Sequence, residues 1–400
     1  MITTFYSWGW GWVWTLSSLS LLAILTLLTA IASMMVATSI WIRITRRSSH
    51  SSTTAVPSSP TPHQVSLTRT MWLMAGSASK LVLPFLCGDV DPDGYRRLST
   101  TIADLQMDVF APQYARAMAV ITSTPPPSPL SQSCPPLLAP FATIGGAMIQ
   151  LVTHPLFPYS LLGAVHFRHQ ITTHLPLAQI APLLLPSLKS PPHDTLQGSV
   201  SISEIRMSGP KGPEFDMVVV ISRASDSVRV IDYKFTGLTP RKSSRSRKAQ
   251  APSTPPPPPP YSLCQLDVPS DAGRVYGSLS ADRNPIHLSP LAARLFGFRT
   301  SLAHGLHVFA PALSHILSAF PEPPGSTGLT LDLSFARPIY LPSRVTLLTP
   351  DPAASPPVGV SSTPHSPIPF HIISSSTSST SSTSSNPRIT THQRGTLLYR

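Results

Sequence analysis

Charge is what this chain has least of. Asp, Glu, Lys and Arg together make up 12% of its 400 residues, about half the usual share of ~25%. Cysteine is scarcer still. Cys87, Cys134 and Cys264 are odd in number and widely spaced, which supplies neither a disulfide framework nor a metal-binding spacing and fits reduced thiols in an intracellular protein. The net charge of +12 would favour a nucleic-acid partner if it were spread over a folded face. It is instead concentrated in two short runs, Arg43, Arg46 and Arg47, and Arg241, Lys242, Arg245, Arg247 and Lys248. With those set aside little net charge remains, so a nucleic-acid-binding surface is excluded as the expectation.

Proline, in contrast, is abundant. Its 47 residues are more than twice the usual ~5%, and many are clustered with Ser and Thr. Thr124–Pro136, Pro240–Pro260 and Ser374–Ser385 carry too little apolar surface to offset chain entropy and read as loops or linkers. The six prolines ending at Pro260 read as a semi-rigid spacer.

The N-terminal region is different in kind. Leu19 to Ile42 contains no charged residue and is long enough for a ~30 Å hydrocarbon core. Trp8, Trp10, Trp12 and Trp14 precede it and Trp41 lies at its far end, positions where amphipathic rings favour a membrane interface. Positive charge follows the span instead of preceding it, which argues against a secretory signal. The expectation is a single-pass anchor with the bulk of the chain cytosolic, at an organelle (endoplasmic reticulum or mitochondrion) that the sequence leaves open.

The expected organisation is therefore an anchor at 1–47, a linker at 48–66, a first module at 67–239 with a Pro-rich insertion, a basic polyproline linker at 240–260, and a second module at 261–400 with a Ser/Thr-rich loop at 374–385. In the first module Phe141–Val152 reads as a buried helix, and Met217–Ile221 and Val228–Tyr233 as strands. In the second, the apolar spacing of Leu306–Phe320 predicts a helix. Strands follow at Leu329–Phe335, Arg344–Leu348, Pro369–Ile373 and Gly395–Tyr399. A helix followed by antiparallel strands, twice over, predicts two related α+β modules.

Two short elements in the second module carry chemistry. In SADRNPIH, Pro285 biases Asn284 away from helical backbone, so the stretch reads as a loop leading into one short helix, Pro285–Leu295. An acid at the end of the loop, Asp282, and a histidine in the first helical turn, His287, can then converge. Such a pair moves protons near neutral pH. Downstream, Gly305 of SLAHGLH stands where the next helix begins, so backbone N–H groups there can face developing negative charge. His304 and His307 are three apart, but no nearby Cys or carboxylate completes a metal set, and no cofactor is expected. His166 and His169, flanking Arg168 on an expected strand, read as surface or satisfied core positions.

The run YGSLSADRNPIHLSPLAARLFGFRTSLAHGL closely resembles the signature of the MaoC-like acyl dehydratases, also called (R)-specific enoyl-CoA hydratases. FARPIYLPSRVTL, Phe335 to Leu347, resembles a strand pair of the same family. Phe157–Ile171 is similar to the non-catalytic half of its double-module members. The resemblance implies two hot-dog modules, each an antiparallel sheet around a central helix, pairing within one chain as a pseudo-dimer that could assemble further. It implies reversible addition of water to a trans-2-enoyl thioester of CoA or acyl carrier protein, giving the (3R)-hydroxyacyl thioester. Asp282 and His287 would be the catalytic dyad. Asn284 would orient the loop or the water, Gly305 would polarise the thioester carbonyl, and His304 would support the site. Since the first module has no Asp-x-Asn-Pro-x-His, one site per chain is implied. An acyl thioesterase and a non-catalytic acyl-binding scaffold at a membrane are the alternative activities. Ala281 stands where the family has Gly, which predicts ordinary backbone there, and Pro311 inside the second module's helix predicts a kink.

Overall fold

Glu214–Arg223 and Arg229–Leu238 are rich in β-branched residues, whose stiff side chains favour extended backbone, and they form adjacent strands longer than the sequence pattern marks. The computed structural model describes residues 94–124, 135–154, 156–158, 164–185, 194–207, 211–239, 259, 261–354, 366–376 and 388–400. The expected anchor at Leu19–Ile42, the linker at 48–66 and nearly all of the 240–260 segment lie outside these residues. Among the described residues no helix is long and apolar enough to cross a membrane.

The first half contains β1 (Ser99–Ile102), α1 (Met107–Ala119), β2 (Thr122–Thr124), α2 (Ala139–Thr153), β3 (Val165–Thr173), α3 (Leu177–Leu184), β4 (Leu196–Arg206), β5 (Glu214–Arg223) and β6 (Arg229–Leu238). The second contains β7 (Tyr261–Val268), α4 (Ala272–Ser280), α5 (Pro285–Leu288), α6 (Pro290–Leu295), α7 (Gly305–Ala319), β8 (Leu329–Phe335), β9 (Ser343–Thr349), β10 (Ile368–Ser376) and β11 (Arg388–Tyr399). All eleven strands described join one antiparallel sheet in the order β1-β4-β5-β6-β3-β8-β11-β10-β9-β7-β2. The halves meet where β3 pairs with β8, Arg168 opposite Ser334 through Thr172 opposite Thr330, and Gln170 donates to Asp332 across that seam at 2.9 Å. β2 breaks the symmetry. It leaves the first half and pairs with β7, the outer strand of the second.

Each half-sheet wraps a long helix. α2 packs against β1, β4 and β5, and α7 against β7. Both helices are apolar nearly all round and correspondingly buried, as expected of an element enclosed by sheet rather than laid on a surface. This is the hot-dog arrangement, present twice. One buried apolar cluster runs through both halves, from Phe110 and Ile144 through Tyr233 to Phe309 and Phe370.

Several expectations need correction. Pro311 does not end α7, which runs from Gly305 to Ala319; the proline is buried in the core, where packing against neighbouring elements outweighs the lost backbone bond. The single helix expected over Pro285–Leu295 is two turns, α5 and α6. Ser289 between them is extended (φ −140, ψ 127), because Pro290 disfavours helical backbone in the residue before it, and its side chain caps α6 at Ala292 N. Ala281 does not have ordinary backbone. It terminates α4 in the left-handed region with φ 58, a helix-ending conformation usually given to glycine, at a steric cost of ~1–2 kcal/mol. β10 extends to Ser376, into the start of the Ser/Thr run; residues 377–387 lie outside those described.

Candidate active site

The loop after α4 is held by its own polar side chains. Ser280 Oγ donates to Tyr276 O at 2.9 Å and accepts from Asp282 N at 3.3 Å. Asp282 Oδ1 accepts from Asn284 N at 3.2 Å, and Asn284 Oδ1 caps α5 by accepting from Ile286 N at 3.4 Å. These local bonds compete with continued helix and turn the chain so that α5 presents His287. The first half braces the loop from beneath. A side chain at Gly145 of α2 would place its Cβ 2.1 Å from Ser280 O, so only glycine lets the first module's central helix approach this closely.

Asp282, His287 and His304 come together, with one ligand atom of each within 4.8 Å of the others. His287 Nδ1 donates to Leu302 O at 2.9 Å. That bond places the proton on Nδ1 and leaves Nε2 as a lone-pair acceptor, the form a general base requires. His304 Nε2 donates to Asp282 O at 3.2 Å and lies 3.5 Å from Asp282 Oδ2. The His287 and His304 rings stack with centroids 3.8 Å apart. Burial pushes both imidazoles below the ordinary histidine range; for His287 the Asp282 charge and the Leu302 bond oppose the effect, and for His304 the neighbouring histidines add to it. The carboxylate side chain of Asp282 is 45% exposed while that of His304 is 5% exposed, so the acid faces the open side and the histidine backs it.

This grouping corrects the reading that no carboxylate lies near His304. The partners are Asp282 and His287, not His307, which turns away and donates to Ala117 O of α1 at 2.8 Å. The three residues are the donor set a transition-metal ion would use. The two rings stack nearly parallel (27°) with centroids 3.8 Å apart, so an ion held between them would lie out of the plane of at least one ring, a poor geometry for imidazole ligation.

Gly305 begins α7, so its N–H has no acceptor within the helix. A Cβ there would lie 2.3 Å from the Phe335 ring; glycine lets that aromatic wall close against the helix start. Gln393, 1% exposed, donates from Nε2 to Gly305 O at 2.9 Å. Asp282, Asn284, His287, His304 and Gly305 all line one cavity of about 490 Å³, whose other wall is the first half's Phe141, Met148, Val152, Phe215, Met217 and Phe235. That volume is ordinary for a small-molecule site, and its division into a polar end and an apolar chamber suits a ligand with a reactive head and a hydrocarbon tail.

Sequence reasoning missed several residues here. Tyr276 packs on both His304 and His307, and Gln393 arrives from the last strand, with nothing local to mark either. Of the two first-module histidines, His166 is half-buried and bonds Arg168 O, while His169 is neither surface nor satisfied. His166 lines the cavity, and His169 is buried with neither ring nitrogen bonded.

Residues 247–349 match the family model described as MaoC like domain. The chain is similar to 3-hydroxyacyl-thioester dehydratase X of Mycobacterium tuberculosis, 29% identical over 213 residues, which is 53% of this chain and 68% of that protein. It is also similar to peroxisomal multifunctional enzyme type 2 of Mus musculus, 36% identical over 62 residues, 16% of this chain and 8% of that one. Among solved structures, HtdX of Mycobacterium tuberculosis superposes with a TM-score of 0.49 at 22% identity, over 75% of this chain and 99% of the other.

Proposed function

We propose that this chain, whose second module carries a MaoC-like domain, is a hydro-lyase that interconverts trans-2-enoyl and (3R)-hydroxyacyl thioesters. The observation that carries the reading is the placement, in one cavity, of a neutral His287 Nε2, the Asp282 carboxylate and the N–H at the start of α7, which has no acceptor among the described residues. The first two are acceptors for a water's two hydrogens. The third stabilises negative charge on a carbonyl oxygen.

In hydration, the thioester oxygen sits at Gly305 N–H, where the helix dipole favours the charge it gains. Water held between Asp282 and His287 loses one proton to the pair as its oxygen bonds to C3. The electron pair of the C2–C3 double bond moves toward the carbonyl, giving an enolate, and a proton returned by the pair to C2 completes the addition. Dehydration reverses each step. Asn284 fixes the carboxylate through its backbone N–H and holds α5 through its side chain; His304 supports the Asp282 peptide. The acyl chain occupies the apolar chamber of the first half. The resemblance to the dehydratases supports CoA or acyl carrier protein as the thiol carrier.

Turnover of trans-2-enoyl-CoA by the full chain, followed by loss of the conjugated enoyl absorbance, tests the reading. Asp282→Asn and His287→Ala should each slow it by ~10²–10⁴-fold. Unchanged rates in both variants would defeat the assignment of the dyad. Release of free thiol without hydration would identify a thioesterase instead, and binding of acyl-CoA without turnover a scaffold. For localisation we propose a single-pass membrane anchor at Leu19–Ile42 with the catalytic part cytosolic; protease digestion of the modules in intact organelles tests it, and full protection would refute it.

A further inference from the structure

The register of β3 against β6 shifts between His166 and Arg168. In a regular strand, residues three apart point to opposite faces. A bulge adds one residue and re-aims a side chain. Here it brings His166 onto the inner face beside His169, ring centroids 5.2 Å apart. The result is an imidazole set into an aromatic wall, 4.3 Å from the Phe235 ring and 4.4 Å from the Phe335 ring.

His166 Nε2 lies 3.0 Å from Arg168 O. A carbonyl only accepts, so the proton is on Nε2 and Nδ1 keeps a lone pair. Among the described residues nothing donates to that Nδ1. Burial also pushes the ring well below the ordinary histidine range, so it stays neutral in use. Phe335, which touches His166, is the same ring that closes over Gly305. His166 is therefore one aromatic ring from the N–H assigned to the thioester carbonyl, and the exposed cations Lys211 and Arg337 line the same cavity.

A pantetheine thioester carries one strong donor close to its carbonyl. Its proximal amide N–H lies four bonds from the thioester carbon, about 5 Å along an extended chain at ordinary bond lengths. We infer that His166, from the half of the chain lacking the Asp282–His287 motif, binds the proximal amide N–H of the substrate's pantetheine arm through Nδ1. The inference rests on the thioester reading proposed above. It gives the first module a binding residue in the reaction, at a point common to CoA and carrier-protein substrates.

The test uses the full chain and two enoyl thioesters with the same acyl group: one of N-acetylcysteamine, which keeps the amide N–H, and an S-butyl thioester, which lacks it. Wild type should favour the amide substrate by about 10- to 100-fold in kcat/KM, the range for leaving one hydrogen-bonding group unpaired in a closed site. His166→Leu should collapse that ratio toward one. His166→Asn, whose side-chain oxygen stands near the Nδ1 position, should restore part of it. A wild type that treats the two thioesters alike overturns the proposal without any variant, as does a His166→Leu chain that keeps the wild-type ratio. Hydration of neither thioester would instead refute the thioester reading itself.

Discussion

Replacing His169 with Leu should stabilise this protein, and more so in acid. His169 is 1% exposed and neither of its ring nitrogens has a partner. Leaving a buried polar group unpaired costs ~1–3 kcal/mol, and Leu, of similar size, removes that cost. Against it stands the edge-on contact with Phe141, centroids 4.6 Å apart, worth ~0.5–1.5 kcal/mol. The net change at pH 7 is a gain of about 0–2 kcal/mol. Acid adds a second effect. Burial pushes the imidazole down from 6.5 to about 3, so below pH 6.5 the unfolded chain binds a proton that the folded chain refuses. Stability from this group is complete above pH 6.5 and is lost as pH falls, at ~1.4 kcal/mol per pH unit. By pH 5 the loss is about 2 kcal/mol in wild type and zero in the variant. The other buried histidines act in the same direction but are shared by both chains. Urea unfolding at pH 7, 6 and 5 measures the difference. A stability gap that stays constant with pH would refute the reasoning, as would a variant less stable than wild type by more than ~2 kcal/mol at pH 7.

Gly305→Ala should lower kcat/KM by at least ~10-fold, because its Cβ displaces the Phe335 ring from the carbonyl site, and adding Phe335→Leu should recover part of the loss in the same enoyl-CoA assay. The kcat/KM profile should be flat from pH 8 to 6.5 and fall only below that, since burial lowers the His287 pKa and protonation removes its acceptor; a limb above pH 7 would contradict this. Gln393→Leu should reduce kcat several-fold through loosened support of Gly305, with ~1 kcal/mol lost from stability; an unchanged kcat in steady-state assays would show that the α7 start is held without it.

The sequence made the catalytic loop's neighbourhood legible because its signals are local. Pro285 forces Asn284 out of helix, Gly305 marks a helix start, and the period of Leu306–Phe320 matches α7 to within a residue at each end. β8 was readable end to end because its alternation is clean. What stayed hidden depends on register or on partners distant in sequence. No local feature of VHFRHQ announces that one residue is extra, so His166 and His169 looked ordinary. Gln393 reaches Gly305 only because β11 lies beside β8. Ala281 looked relaxed because nothing in its own identity shows that α4 must end in left-handed backbone for Asp282 to reach His304. In the first half, α1, α3, β4 and the edge strands β1 and β2 went unread; the two edge strands are too short to carry an alternation that stands out.

The crossing of β2 has a consequence for anyone who would take the chain apart. A cut between residues 240 and 260 severs the sequence between its two repeats, yet the piece that departs carries away the strand paired with Gln265–Asp267 on the outer edge of β7. The released fragment would present a bare row of amide and carbonyl groups, the feature that invites strands from other molecules to add on. Swapping one repeat for that of a relative would mismatch the same border unless Thr122–Thr124 travelled with it. The heritable and exchangeable unit is thus the whole pair, and a library of shuffled variants should place its crossover so that β2 and β7 come from one parent.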